Sequence, residues 1–336
     1  MSGTSRVIQI MRAAKWHAEH NIKKGEKVVV VTTPTVIQDI PIAFAAAAAS
    51  MGAEVVTVYM PPPMVPGEEP PKLIADIMKA ADVAITCSNE TLSFSNAMIG
   101  CIQAGGRHLS VPGAGVETMI RGTVEVYFDE NEYQKMRSRA LWLKDVLTKG
   151  SEIRVVSGNG TDVKGSIKGC LPLPAYSIAE ETYRHASFPS GEVMLHPVEG
   201  TTEGTVIYDL SMGGIGKINT PIKMTVKKGK AYKIEGGEEA ERLLRIVEKA
   251  GEGGDNIAEF GIGINHMGIA TGNKNEDKKI AGTAHIALGD NHAFGGRLVE
   301  GIAGNVETTI HLDGVVSNVT IYVDGEKIVD KGKLLF

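Results

Sequence analysis

Val7, Ile10, Met11, Ala14, His17 and Ala18 recur at helical spacing between Arg6 and Asn21, and the cations and glycine of Lys23-Lys24-Gly25 close that stretch. An amphipathic opening helix is expected. Val28 to Thr32 is a continuous, mainly β-branched run, followed by a Thr/Pro loop, an alanine-rich segment from Ile40 to Met51, Gly52, and a second apolar run from Val55 to Tyr59. This is strand, helix, strand at βαβ spacing. Beyond the prolines at 61–63, 66, 70 and 71 the rhythm repeats. A helix is expected around Leu73 to Ala81, a strand at Val83 to Cys87, a helix near Ser95 to Ala104 and a strand near His108 to Val111. The pattern predicts a doubly wound, mostly parallel sheet with helices on both faces.

Tyr133, Met136, Ala140, Leu141, Leu143 and Leu147 mark another amphipathic helix, ended by Lys149-Gly150. From Ser151 the runs turn short and glycine-rich: Ile153–Ser157, Val163–Ile167, Gly191–Leu195, Gly204–Leu210, Ile222–Val226 and Ala231–Ile234, with one helical stretch at Glu238–Ala250. Two domains are expected: an α/β domain over 1–150 and a mainly β (α+β) metal-binding domain over 151–336.

Charge narrows the function. Thirty-five Lys+Arg against 40 Asp+Glu, a net charge of −5 with no basic block, give no footprint for nucleic acid, so a peptide or small molecule is the expected substrate. Cys87, Cys101 and Cys170 form no Cys-x-x-Cys and fit a reducing compartment. The N-terminus lacks the pattern of a signal peptide, and the run Ile40–Ala49 is far short of the ~20 apolar residues that span a bilayer. A cytoplasmic protein without membrane association is expected. No Gly-x-Gly-x-x-Gly follows a strand and no Gly-Lys-Ser/Thr occurs, so the α/β half carries no nucleotide signature; Gly113-Ala114-Gly115 is too little. His108, at the end of a predicted strand, is more readily structural than a ligand contact.

The chemistry collects in the second half. In Thr309-Ile310-His311-Leu312-Asp313 strand alternation puts His311 and Asp313 on one face. An imidazole and a carboxylate so placed are half of a metal site, although a simple hydrogen-bonded pair reads as well. Glu259 lies in the apolar, glycine-rich stretch Ala258–Asn265, where an unpaired charge is costly, so something cationic should face it: a metal, or a Lys or Arg brought in by the fold. His285 opens His285-Ile286-Ala287-Leu288-Gly289, and Glu192 sits at a strand start. Two Glu, two His and one Asp suffice for a pair of divalent cations with a bridging acid.

Gly191-Glu192-Val193, Ala258-Glu259-Phe260-Gly261-Ile262-Gly263, Gly282-Thr283-Ala284-His285-Ile286-Ala287-Leu288-Gly289 and His311-Leu312-Asp313, in that order, resemble the thermophilic aminopeptidase T (M29) family of dinuclear metallopeptidases. The segments Val155–Val163 and Glu203-Gly204-Thr205-Val206 are similar to it too. The resemblance implies metal ligation by Glu192, Glu259, His285, His311 and Asp313, two divalent ions (Zn, Co or Mn), removal of N-terminal residues from peptides, and a homodimer. It implies that Glu259 bridges the ions and that they activate a shared water. This sequence departs at two places. A family acid ahead of the His285 position is Ile280 here, with Glu276 and Asp277 in a different register, and a family tyrosine after it is His292. His292 is the candidate replacement as proton shuttle or oxyanion donor, the alternative being that the peptidase chemistry is lost with the tyrosine.

A second group on the same scaffold, the 2,5-dihydroxypyridine dioxygenases, is similar around Phe188-Pro189-Ser190-Gly191, Glu203-Gly204-Thr205 and His311-Leu312-Asp313. That group holds a mononuclear Fe(II) with two histidines and one carboxylate, having a histidine where this chain has Glu259 and no acid at Glu192. Here His285 or His266 would have to be recruited. A metal-bound but catalytically silent scaffold is a third reading. His185 and His196 flank Glu192 as possible supporting contacts, and Arg297, in Gly295-Gly296-Arg297, could meet a substrate carboxylate. Lys227-Lys228-Gly229-Lys230 reads as a charged hairpin tip, and Met11, Met78, Met98 and Met119 as core filler.

Overall fold

The computed structural model describes residues 3–64, 66–93, 95–113, 130–179, 183–292 and 304–336. The chain folds as two units, one of Met1–Gln134 with Ala175–Ser190, the other of Lys135–Pro174 with Gly191–Phe336. The division is therefore not a single cut at 150.

In the first unit α1 (Gly3–Asn21), β1 (Lys27–Thr32), α2 (Asp39–Ser50), β2 (Glu54–Tyr59), α3 (Lys72–Ala80), β3 (Val83–Ser88), α4 (Asn96–Gln103) and β4 (Arg107–Pro112) alternate as the periodicity predicts. All strand pairs are parallel, in the order β2-β1-β3-β4. Every residue of β3 and all but the first of β1 are buried, which is why both read as unbroken apolar runs. Val29, Val31, Met60, Ile74, Met78, Ala84, Leu92, Ala97 and Cys101 form one core cluster. Met98 is buried and Met11 half-buried; Met119 lies outside the described residues.

α5 (Glu130–Lys149) leads into β5 (Glu152–Ser157), β6 (Asp162–Ser166), β7 (Leu173–Ala175) and β8 (His185–Ser187). The last of these joins the first unit's sheet, parallel to β4, with His108 opposite His185. Three residues carry no readable period, so this return of the chain was invisible to patterning. It also corrects the expected role of His185, which pairs with His108 in the first unit.

The remaining elements are β9 (Glu192–Leu195), β10 (Glu203–Tyr208), β11 (Ser211–Met212), β12 (Gly216–Lys217), β13 (Ile222–Lys227), β14 (Lys230–Glu235), α6 (Glu238–Ala250), β15 (Ile257–Gly263), α7 (Lys274–Asp277), β16 (Ala284–Gly289), β17 (His311–Val316), β18 (Val319–Val323), β19 (Glu326–Asp330) and β20 (Lys333–Leu334). They build an eight-stranded sheet, β14-β13-β10-β6-β5-β18-β19-β20, and a seven-stranded sheet, β12-β11-β17-β16-β15-β9-β7. The described strand pairs of this unit are antiparallel. Lys228 and Gly229 both take positive φ (50° and 71°) at the β13–β14 tip, the turn expected of that charged hairpin. Among the described residues no helix is long and apolar enough to cross a membrane.

Candidate metal centre

The register of the seven-stranded sheet assembles the site. Glu192 of β9 lies opposite Gly263 of β15, Glu259 opposite Ala287 of β16, and Ala287 opposite Asp313 of β17. His285 is two residues before Ala287 and His311 two before Asp313. Period-two alternation therefore puts Glu192, Glu259, His285, His311 and Asp313 on one face of four adjacent strands. All five are buried, at 1% exposure or less.

Two glycines of β15 make room there. A Cβ on Gly261 would lie 1.9 Å from His285 Cε1, so the imidazole can lie across β15 towards Glu259 only because residue 261 has no side chain. A Cβ on Gly263 would lie 2.1 Å from the Ile280 carbonyl oxygen, so this glycine lets the segment after α7 pass close over the strand. Asn265 donates its backbone N–H to the Lys279 carbonyl at 2.8 Å and accepts from Ala281 N–H at 2.8 Å, which fixes that crossing.

Acid and imidazole alternate along the face. His285 Nε2 is 3.5 Å from Glu192 Oε2 and 2.8 Å from Glu259 Oε1, while His311 Nε2 is 3.4 Å from Glu259 Oε2 and 3.3 Å from Asp313 Oδ1. Glu259 thus offers one oxygen to each imidazole. His311 Nδ1 is 2.7 Å from the Asp290 carbonyl, which orients the ring and turns Nε2 to the acids.

Glu259 is faced by the two imidazoles, and the cations that the fold brings in meet the two outer acids instead. Lysines arrive from the 274–279 segment: Lys279 Nζ at 2.8 Å from Glu192 Oε1, Lys274 Nζ at 3.1 Å from Asp313 Oδ2, and Lys278 Nζ at 3.3 Å from Glu192 Oε2 and 3.4 Å from Asp313 Oδ2. These were missed because a capped, highly charged stretch (Asn273-Lys274-Asn275-Glu276-Asp277-Lys278-Lys279) looks solvated; the oddity was three cations just ahead of an apolar His285 strand. Glu276 and Asp277 face the preceding loop. Asp277 accepts from the backbone N–H groups of Thr271 and Gly272, and Glu276 from the Thr271 hydroxyl.

The electrostatics follow from burial and these partners. Burial disfavours the charged form of Glu192, but Lys278, Lys279 and His285 outweigh it and bring the carboxyl down to about 2. Glu259 and Asp313 are held far below the usual range in the same way, the first by His285 and His311, the second chiefly by Lys278 and Lys274. Burial pulls His311 down, yet its contacts with Asp313 and Glu259 push it up to about 10. A field that retains a proton on a buried imidazole is one that attracts a cation.

The residues fit a metal. His285 Nδ1 is buried and reached by no hydrogen bond, and the buried Glu192 Oε2, Glu259 Oε2 and Asp313 Oδ1 meet side-chain nitrogens only at 3.3 to 3.5 Å. One donor atom each from Glu259, His285 and Asp313 lie within 4.8 Å of one another. Hard carboxylate oxygens and imidazole nitrogens in this state are a divalent-ion donor set.

The other expected residues fall elsewhere. His292 Nδ1 is 3.7 Å from Glu307 Oε2, and no contact between His292 and the five residues is found among the described residues. His196 Nδ1 lies 2.7 Å from the Ala258 carbonyl, beside Glu259, as a supporting contact would. His266 is exposed, 3.0 Å from Arg139 Nη1. His108 is buried between Thr86 and His185. Ala114, Gly115 and the Gly295-Gly296-Arg297 turn lie outside the described residues.

A parallel α/β unit and an antiparallel β unit with this acid–imidazole face make a two-unit fold with a candidate metal centre. The family model for 2,5-dihydroxypyridine 5,6-dioxygenase matches residues 11–336, and the chain belongs to that family. The 2,5-dihydroxypyridine 5,6-dioxygenase of Pseudomonas putida is 26% identical over 216 residues, 59% of this chain and 58% of that protein, so the match spans little more than half of the curated relative. Two solved structures share the fold over nearly their full length. One is 2,5-dihydroxypyridine dioxygenase from Pseudomonas putida KT2440, with TM-score 0.79 and 20% identity, covering 100% of this chain and 98% of that one. The other is AmpT from Thermus thermophilus, of the aminopeptidase T family, with TM-score 0.69 and 16% identity, covering 98% and 99%.

Proposed function

We propose that the protein is a metal-dependent aminopeptidase whose centre holds two divalent ions, with Glu192 and His285 serving one, His311 and Asp313 the other, and Glu259 shared. The carrying observation is the alternation Glu192, His285, Glu259, His311, Asp313, with neighbours 2.8 to 3.5 Å apart. Each half of that row contains one imidazole and one outer carboxylate. Bound there, the ions would supply Lewis acidity to the scissile carbonyl and bring the pKa of a water towards ~7. Glu259 meets one imidazole with each of its oxygens, and the Asp290 carbonyl accepts from His311 Nδ1–H, so that the lone pair of the neutral ring is on Nε2, turned to the acids. Burial of all five side chains keeps bulk water from screening them.

Family membership favours a second reading: a mononuclear Fe(II) dioxygenase that opens a 2,5-dihydroxypyridine-like ring. His285, His311 and Asp313 supply the two-histidine, one-carboxylate set such iron needs. The hydrolytic reading ranks first because three buried carboxylates sit at the centre where that set uses one. The experiment is a paired assay of metal-reconstituted protein: aminoacyl p-nitroanilides with Zn, Co or Mn, and oxygen uptake on 2,5-dihydroxypyridine with anaerobically loaded Fe(II). Hydrolysis without oxygen uptake is expected; ring opening with oxygen uptake would replace the first reading by the second.

A further inference from the structure

The two outer carboxylates of the centre, Glu192 and Asp313, face three lysines, all supplied by the segment 274–279, and the three do different things. Lys279 holds an oxygen of Glu192 and Lys274 an oxygen of Asp313, one outer carboxylate each. Lys278 Nζ instead lies 3.3 Å from Glu192 Oε2 and 3.4 Å from Asp313 Oδ2, so one ammonium spans the outer acids of both halves. Its side chain is 9% exposed and those of Glu192 and Asp313 are 2% and 1% exposed, so the bridge is dry. Gly263 and the Asn265–Lys279 backbone bond hold the segment that carries it.

We propose that Lys278 is a built-in competitor for the second cation: the centre takes its first divalent ion with the ammonium in place and its second only by displacing that ammonium from Glu192 and Asp313. The inference rests on the two-ion reading above. A monovalent ammonium and a divalent ion both seek the same outer oxygens, and their repulsion across a few ångströms of dry protein is large enough to separate the two binding steps. The first ion keeps Glu259 and one imidazole, which Lys278 does not bridge. Lys278 thereby sets whether the centre works with one ion or two at a given metal concentration. That difference in nuclearity is also what separates the two chemistries of the shared scaffold.

The test is Mn2+ titration of chelator-stripped full-length protein, followed by calorimetry and by electron paramagnetic resonance, which distinguishes an isolated Mn2+ from a coupled pair. Wild type should bind one ion tightly and a second about 100-fold more weakly, with the coupled signal emerging only in the second step. In Lys278→Met the two steps should close to within about tenfold and the coupled signal should follow the first equivalents; Lys278→Arg, which keeps the charge in a different shape, should keep the two steps apart. If Lys278→Met does not fold without metal, the two unequal steps of wild type and the behaviour of Lys278→Arg still decide. Two equal steps in wild type, or a second step in Lys278→Met as weak as in wild type, overturn the role of Lys278 and leave the two-ion reading standing. Binding of a single ion to wild type and Lys278→Met alike, up to millimolar Mn2+, overturns the two-ion reading and this inference with it.

Discussion

Each unit buries a pair of histidines on its sheet, and the two pairs have opposite chemistry. In the first unit His108 and His185 stack with ring centroids 5.0 Å apart and Nδ1 atoms 3.0 Å apart, and His108 Nε2 lies 2.9 Å from the Thr86 hydroxyl. Burial, with His185 adding to it, drives the His108 pKa well down, so the ring is a neutral packing element. In the second unit His285 and His311 flank Glu259, and the carboxylates push His311 up to about 10 despite equal burial. Burial depth is therefore silent about function, and the partner decides: His108, faced by another imidazole, is held neutral, while His311, faced by carboxylates, lies in a field that attracts a cation.

The sharpest way to break the contrast is Glu259→Gln, which removes the shared charge while keeping the shape. Turnover and metal uptake should both collapse, turnover by about 1000-fold or more, whereas the fold persists. Inductively coupled plasma mass spectrometry on the dialysed variant checks the metal half of that outcome. Metal content like that of wild type would mean that the charge on Glu259 does not hold the ions.

Gly261→Ala is next in size. A methyl group placed 1.9 Å from the His285 ring must move the imidazole or the strand, at a cost of about 1–3 kcal/mol in urea unfolding and with weakened metal binding. Unchanged metal affinity would show that His285 does not need its present position.

Acid sharpens the comparison from the other side. His17, buried in the first unit, has its pKa lowered from 6.5 to about 3, so the unfolded chain binds a proton there that the folded one does not. Its contribution to stability is present above pH 6.5 and is lost as the pH falls towards 3, about 2 kcal/mol of it by pH 5. His108 acts in the same direction. The Glu192 carboxyl, held near 2, gives nothing up until the pH falls below 4.5. Hydrogen exchange at pH 7 and pH 5 should therefore show weakened protection in the first unit before the second; equal loss in both would contradict the assignment.

The smallest expected effect is His108→Leu. It removes the imidazole that faces Thr86 Oγ1 and His185 Nδ1, costing about 1 kcal/mol, with metal uptake untouched. Altered metal binding in that variant would join what the comparison separates.

Most of the strands that carry this contrast were legible beforehand, because the α/β rhythm and the His311–Asp313 alternation are local signals. Glu259 is the instructive case. Its placement in an apolar strand calls for a cationic partner; the structure faces it with His285 and His311, while the lysines brought in by the fold pair with Glu192 and Asp313. Lys274, Lys278 and Lys279 reach the acids only because Gly263 admits their segment over β15, a contact no periodicity encodes. The return of residues 175–190 to the first sheet was hidden for the same reason, since β8 is too short to print a pattern. Gly261 was visible as a glycine but not as the space for an imidazole, which needs the register of β15 against β16. His292 was chosen by its place after His285 and is found beside Glu307.

The proposed dinuclear centre stands on Glu259 being shared between two half-sites. Crystals saturated with Mn2+ and measured at the manganese edge test it directly. Two anomalous peaks are expected, one among Glu192, His285 and Glu259 and one among Glu259, His311 and Asp313. A single peak held by His285, His311 and one carboxylate, with Lys278 still across Glu192 and Asp313 at saturation, would contradict it and leave a mononuclear centre.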